Sequence, residues 1–288
     1  MKIACIVPTC RDECIKQFID GWIDLFAKND VLLVVVKDGR DPRVFYKKRN
    51  FSVKDIMGDK SDLIYNKNDG VRNLGFACVA KHFPDIEYYM TLDDDVLPYG
   101  DTIKNHFNAL NKRVPTSWFN IASDYTRGFP YRLREESEVV LSHGVWNGIM
   151  DFDAPTQLVN GNKQLEFYNG PIPKGVYFQM CGMNLMFKKK LLPYMYFAPM
   201  GHRVGLDRFA DIWLGINVKR AIDDNGWAVV SGYSKVIHNK ASNVFANLIK
   251  ESKGLMLNED YWSGNESDPY FKLYNSQRKK WKDFINNL

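Results

Sequence analysis

Three consecutive carboxylates, Asp93-Asp94-Asp95, follow an apolar, β-prone run, Tyr88-Tyr89-Met90-Thr91-Leu92. The run reads as a buried strand. Alternation along that strand predicts Asp93 and Asp95 on one side and Asp94 on the other. Like charges at the mouth of a buried strand repel one another. A hard divalent cation relieves the repulsion, and carboxylate oxygens are ligands that Mg2+ and Mn2+ favour. The competing reading is a solvated acidic turn capping the next helix. Asp38 closes a second apolar run, Asp211 lies on a late helix, and His238 follows the last predicted strand. A carboxylate so placed can accept the N–H of a base such as uracil. The triplet can hold a cation that bridges a diphosphate, and a neutral imidazole can complete the metal shell. Taken singly, Asp38-Gly39 is a turn, Asp211 a helix-surface acid and His238 a hydrogen-bonded structural residue. Their shared position at the carboxyl edge of a sheet, where α/β folds bind ligands, is what makes them a site.

Positioning these groups requires strands that end together. Lys2 to Val7 is a first strand, apolar on both faces and therefore expected to be central and parallel. Pro8-Thr9-Cys10-Arg11-Asp12 is its carboxyl-end loop, with Thr9 or Asp12 as helix cap. Ile15, Phe18, Ile19, Trp22, Ile23 and Phe26 then recur at helical spacing, and Val31 to Val36 is a second strand. This β-loop-α-β start predicts an α/β fold with a mainly parallel, doubly wound central sheet. No G-x-G-x-x-G follows the first strand, which argues against a dinucleotide site. Arg40 to Lys67 reads as irregular, Asn68 to Lys81 and Pro98 to Lys112 as helices, and Trp118 to Ala122 as a strand. Ser123 to Pro173 reads as a long irregular segment of the kind that carries function. Val176 to Phe187 is apolar, and Gly182 within it suggests close approach by a ligand. Asp207 to Asn225 is a helix and Ala228 to Val230 the last strand. From Ser276 a basic amphipathic helix turns Trp281, Phe284, Ile285 and Leu288 to one side, which suits core packing better than a membrane. The expected division is a catalytic domain over residues 1–254 and a C-terminal extension over 255–288 whose amphipathic helix packs on it.

The chain has 288 residues, 45% of them hydrophobic and 14% aromatic, enough for a sizeable core. The net charge of +5 is spread over short runs such as Lys47-Lys48-Arg49 and Lys188-Lys189-Lys190, so no nucleic-acid stripe is expected. Five cysteines without C-x-x-C or zinc spacing point to reduced thiols and a cytoplasmic protein. The start reads as a strand rather than a signal peptide. The longest wholly apolar run, Val31 to Val36, is too short to span a bilayer, so no stable membrane insertion is expected.

Several longer stretches carry a resemblance: Val36-Lys37-Asp38-Gly39, Leu92-Asp93-Asp94-Asp95, Arg127-Gly128-Phe129-Pro130-Tyr131-Arg132-Leu133-Arg134-Glu135, and Asp151-Phe152-Asp153-Ala154-Pro155-Thr156-Gln157-Leu158-Val159. Ile172-Pro173-Lys174-Gly175, Met180-Cys181-Gly182-Met183-Asn184-Leu185 and His238-Asn239-Lys240-Ala241-Ser242-Asn243 belong with them. Together they resemble the reversibly glycosylated polypeptides, the UDP-arabinopyranose mutases, from the first strand to about Gly254. The resemblance implies a GT-A-like nucleotide-sugar-binding fold, a UDP-sugar substrate and Mn2+ or Mg2+ as cofactor. It leaves homo- or hetero-oligomeric assembly open. It further implies that Asp93 and Asp95, with His238, serve the metal. Thr9, Arg11, Asp38, Gly39, Arg72, Asp93 and Asp94 are expected on the nucleotide, and Gly182, Met183 and Asn184 on the sugar. Arg127 would be the arginine that is reversibly glycosylated and Arg134 a second arginine needed for activity. The plant members carry a paired acid before the helix tryptophan where this chain has Ala210-Asp211-Ile212-Trp213, so Asp211 is the single candidate for the group that takes the proton of Arg127. Without the resemblance, Arg127 reads as a phosphate ligand or a salt-bridge partner. The rivals to a mutase are a metal-dependent glycosyltransferase that passes the sugar to a separate acceptor and a non-catalytic partner that binds nucleotide sugar.

Overall fold

The structure, a computed structural model, describes residues 2–117, 125–239 and 243–288. The strand predicted over Trp118 to Ala122, and Lys240-Ala241-Ser242 of the last motif, lie outside the described residues.

The expected start is present, and its first strand explains the layers. β1 (Ile3–Thr9) is buried along almost its whole length. Ile3, Cys5 and Val7 enter one buried cluster, Ala4 and Ile6 another. A strand apolar on both faces must be covered on both. α1 (Asp12–Lys28) covers the first face with Phe18, Trp22 and Phe26, which are buried and stacked in sequence at 5.6 and 5.4 Å between ring centres. β2 (Val31–Lys37) pairs parallel to β1. The stretch read as irregular is a hairpin, β3 (Arg43–Tyr46) and β4 (Arg49–Ser52), followed by the short α2 (Val53–Met57), which Ser52 and Asp55 cap reciprocally. α3 (Arg72–His82) covers the second face of the sheet, and β5 (Tyr88–Leu92) pairs parallel to β1 on its other side.

β6 (Val96–Pro98), α4 (Thr102–Leu110) and β7 (Arg113–Pro115) come next. The segment from Ser123 to Pro173 corrects the sequence reading: it contains β8 (Glu136–Gly148), α5 (Ala154–Asn160) and β9 (Gly170–Pro171). β10 (Asn184–Lys188), α6 (Ala210–Asp224) and β11 (Ala228–His238) complete the sheet and its cover. α7 (Val244–Glu251), α8 (Leu255–Ser263) and α9 (Pro269–Asn286) follow. The strand order is β4-β3-β2-β1-β5-β10-β8-β11-β6, with β7 on β8 and β9 on β11. β10 is antiparallel to both β5 and β8, and β11 is parallel to β8. Hence β2, β1, β5, β8 and β11 all run in one direction. The sheet is mixed, but its main strands deliver their carboxyl ends to one edge.

Tyr261, Phe271, Tyr274 and Trp281 belong to the same buried cluster as α3 and α6, and the Trp281 indole donates to Leu192 O at 3.1 Å. Residues 255–288 therefore share the core of the preceding chain.

Candidate active site

A cavity of about 1430 Å³ opens at that carboxyl edge. Its wall takes residues from the loop after β1, from the loop after β2, from the start of α3 and from the turn after β5. The ends of β8 and β11, the loop before β10 and the first turn of α6 contribute too, as do residues of α5, α7 and α8 such as Gln157, Glu251 and Glu259. β5 stops at Leu92, so Asp93, Asp94 and Asp95 form a turn, and the predicted strand alternation does not reach them. The Trp22 indole fixes the far side of the turn by donating to Val96 O at 2.9 Å.

Two arginines neutralise the triplet. Arg11 donates to both oxygens of Asp94 and, at 2.9 Å, to Asp95 Oδ2. Thr9 Oγ1 donates to Asp94 Oδ2 at 2.6 Å. Thr9 and Arg11 thus hold the triplet as well as lining the cavity. Arg72 is 1% exposed; its Nη2 donates to Asp93 Oδ1, its Nε donates to Thr91 Oγ1 at 3.0 Å, and its Nη1 lies 3.0 Å from Asp69 Oδ1. Asp38 and Gly39 reach the wall through a tied loop: Asp38 Oδ1 accepts from the N–H groups of Gly39 and Lys67 at 2.7 and 2.8 Å. Burial pushes the Asp38 carboxyl up, while those two backbone donors pull it back.

Asp211 stands at the opening turn of α6. Its Oδ2 accepts from Gly182 N and its Oδ1 from Ile212 N, both at 3.0 Å. Burial, reinforced by the neighbouring Asp69, pushes its carboxyl up to about 7. Gly182 and Met183 line the cavity beside it. His238 does so from the end of β11: its Nδ1 donates to Ile149 O at 2.8 Å, which leaves Nε2 as the free acceptor.

Three expected residues are not on this wall. Asn184 opens β10 and is fully buried; its amide oxygen meets His106 Nε2 at 2.8 Å and its Nδ2 donates to Val145 O at 3.1 Å. It is a packing residue, not a sugar ligand. Gly144 makes room for it: a Cβ there would lie 1.9 Å from Asn184 Nδ2. Arg127 is exposed and is not among the residues that line the cavity. Arg134 is also outside, because its guanidinium is stacked 4.0 Å over the Tyr131 ring and 4.9 Å over that of Tyr125.

The cavity also holds groups that sequence reasoning missed. Asp69 and Asp151 line it, with the Cys181 thiol donating to Asp151 Oδ2 at 3.2 Å. Arg208 takes a left-handed φ of 77°, and its Nε donates to the buried Glu251 at 3.3 Å. Glu251 also accepts from Ala154 N at 2.7 Å and so ties α7 to the start of α5. No periodicity or motif marks Arg208 or Glu251; only the loop geometry brings them in.

For a cation, the donor types are suitable. Asp93, Asp95 and an imidazole with an open Nε2 offer the mixed oxygen and nitrogen set that Mn2+ or Mg2+ accepts. Among the described residues, however, no three such side chains already converge to hold an ion, and both carboxylates carry arginine partners. The wall bears ten carboxylates against five arginine or lysine side chains, so a diphosphate entering it needs added positive charge.

The family model of the reversibly glycosylated polypeptides matches residues 2–267. UDP-arabinopyranose mutase 3 of Arabidopsis thaliana is 33% identical over 293 residues, covering 93% of this chain and 76% of that one. A probable UDP-arabinopyranose mutase 1 of Pisum sativum is 34% identical over 281 residues, 88% of this chain and 74% of its own. Among solved structures, the catalytic domain of Drosophila beta1,4galactosyltransferase 7 aligns over 85% of this chain and 77% of its own, at 13% identity and a TM-score of 0.38. On the family match and the extent of the sequence identity, the chain belongs to the reversibly glycosylated polypeptide family.

Proposed function

We propose that this chain is a UDP-sugar mutase that interconverts the pyranose and furanose forms of UDP-arabinose, or of a closely related sugar, with reversible glycosylation of its own Arg127. The observation that carries the reading is the gathering, in a chain of this family, of Asp38, the triplet and Asp211 around one cavity. The nucleotide lies along Thr9, Arg11, Asp38, Gly39 and Arg72, and the sugar against Gly182 and Met183, next to Asp211. Asp93, Asp95 and His238 would hold a divalent cation, which would supply positive charge for the diphosphate. Ring contraction requires the bond from the anomeric carbon to UDP to break while both fragments stay bound. A side-chain nucleophile holds the sugar meanwhile. Arginine is protonated at neutral pH, so its attack needs a base. Asp211, raised towards neutrality, suits that work because a base is most effective near the working pH. Five cysteines without C-x-x-C or zinc spacing support a cytoplasmic site of action. Among the described residues no helix is long and apolar enough to cross a membrane.

Incubating the purified protein with UDP-arabinopyranose and separating the nucleotide products tests the reading. UDP-arabinofuranose should accumulate without any added acceptor, and chelation of divalent cations should slow it. Hydrolysis to UDP and free sugar alone, or no turnover despite tight binding, would reject the mutase.

The nucleotide assignment predicts a separable effect at Asp38. Asp38→Asn keeps an oxygen for the N–H groups of Gly39 and Lys67 but turns the other acceptor into a donor that faces the uracil N–H. UDP affinity should fall about tenfold or more, the worth of one mismatched buried hydrogen bond, while the urea midpoint stays near wild type. Calorimetry showing unchanged preference for UDP over GDP would remove Asp38 from the base site.

A further inference from the structure

Arg127 and the cavity that is to glycosylate it do not meet within one molecule. Arg127 is exposed, next to Gly128 at φ 92°. The segment is braced on itself: Tyr125 Oη donates to Arg134 O at 2.9 Å, Arg134 Nη2 donates to Phe129 O at 3.3 Å, and the Tyr125 and Phe129 rings lie 4.7 Å apart. Arg127 is left exposed, and so is Tyr131, which precedes the exposed Arg132 and is itself 83% exposed. A solvent-facing aromatic next to an arginine is a composition enriched where one protein anchors on another.

The cavity is complementary to such a tip. A nucleoside diphosphate pentose is a ligand of the size that fills about 300–1,000 Å³, and the cavity measures about 1430 Å³. Its charged side chains are two-thirds carboxylates, and Phe152, Phe167 and Phe178 supply apolar wall. The segment brings Arg127 and Arg132, both exposed, and Tyr131. Opposite charge and spare volume fit each other.

We propose that glycosylation runs between molecules: the segment 125–134 of one copy docks at the cavity of a second copy, which transfers the sugar to Arg127. The inference rests on the mutase reading above. A guanidinium nitrogen of Arg127 forms the new bond to the anomeric carbon, and the bond from that carbon to the UDP oxygen breaks. UDP leaves with the electron pair, and the proton lost by the guanidinium passes to Asp211 of the second copy. The reverse step restores UDP-sugar.

Two variants separate the roles. Asp211→Asn keeps Arg127 but disables the cavity; Arg127→Lys keeps the cavity but removes the acceptor. Each alone, incubated with radiolabelled UDP-arabinopyranose, should take up at least tenfold less label than wild type. Co-expressed and co-purified, they should become labelled, with peptide mapping placing the sugar on Arg127 of the Asp211→Asn chain. If Asp211→Asn does not fold, or still labels itself, Asp95→Asn takes its place. A mixture that stays unlabelled while wild type is labelled on Arg127 overturns the proposal and leaves the mutase reading standing. Wild type that is never labelled on Arg127 overturns the self-glycosylation reading and the proposal with it.

Discussion

Replacing Asp211 by Asn should lower turnover by about 10²–10⁴-fold, the usual worth of a positioned base, and should shift the stability balance in the variant's favour as the pH rises. The first part follows from its position beside Gly182 and Met183 on the cavity wall. The second follows from linkage. Folding raises the Asp211 carboxyl from 3.8 to about 7, chiefly by burial. Between those values the folded state keeps a proton that the unfolded state has lost. Stability attributable to this group therefore falls as the pH climbs from about 4 to about 7, and stays low above that. Asn carries no such penalty, although it forfeits one of the two acceptor roles towards Gly182 N and Ile212 N, at about 1 kcal/mol. That loss is independent of pH, so the readout is the change in the difference. Urea midpoints of variant and wild type at pH 5 and pH 8 should diverge in favour of Asn at the higher value. For the wild type, kcat/KM should rise with pH through the neutral region, because the base works deprotonated. A variant of undiminished activity, or a stability difference that is the same at both pH values, would strip Asp211 of its role.

What could be read from the sequence was whatever local pattern dictates. The unbroken apolar run of Ile3 to Val7 and the helical spacing of Phe18, Trp22 and Phe26 announce β1 and α1, because burial of both faces or of one is written into the residue types. Asp38, the triplet, Asp211 and His238 were recognisable because each sits at an element boundary on one edge. β8 was not, because Ser142, His143 and Gly144 interrupt its apolar run. Those polar residues are strand-compatible only through distant partners: His106 Nδ1 on Ser142 Oγ at 2.8 Å and Ser231 Oγ on His143 Nδ1 at 2.9 Å. The same network accounts for Asn184, which lies in a motif beside two wall residues but is held in the interior by His106 and the Val145 carbonyl. The place of Arg127 was equally hidden: its motif is long and distinctive, yet nothing in it says whether the segment buries Arg127 or leaves it exposed.

The largest loss of stability from a single change at the site is expected at Arg72. Its guanidinium is 1% exposed and sits 5.3 Å from the Phe197 ring, with Thr91, Asp93 and Asp69 around its nitrogens. Arg72→Met keeps most of the length and volume but removes the charge, leaving Asp93 beside Asp69, Asp95 and Asp211 without its main counter-ion. Removing one partner of a buried ion pair costs about 3–5 kcal/mol, much of it the desolvation of the charge left behind. The origin of the cost can be separated from packing. In Arg72→Met the folded Asp93 is driven further above its ordinary range, so the folded state binds a proton the unfolded state has released. Burial already holds Asp93 up at about 8 in the wild type, so the two chains differ in proton binding only above that value, and the cost should grow as the pH rises from about 8 to about 10. Adding Asp93→Asn, which abolishes the stranded charge, should recover a large part of it, and the double variant should be more stable at about pH 10 than Arg72→Met alone. Urea denaturation of the two single variants and the double variant closes the cycle. If Arg72→Met costs the same at both ends of that pH range and Asp93→Asn rescues nothing, Arg72 serves as packing against Phe197 rather than as the counter-charge of the acidic turn.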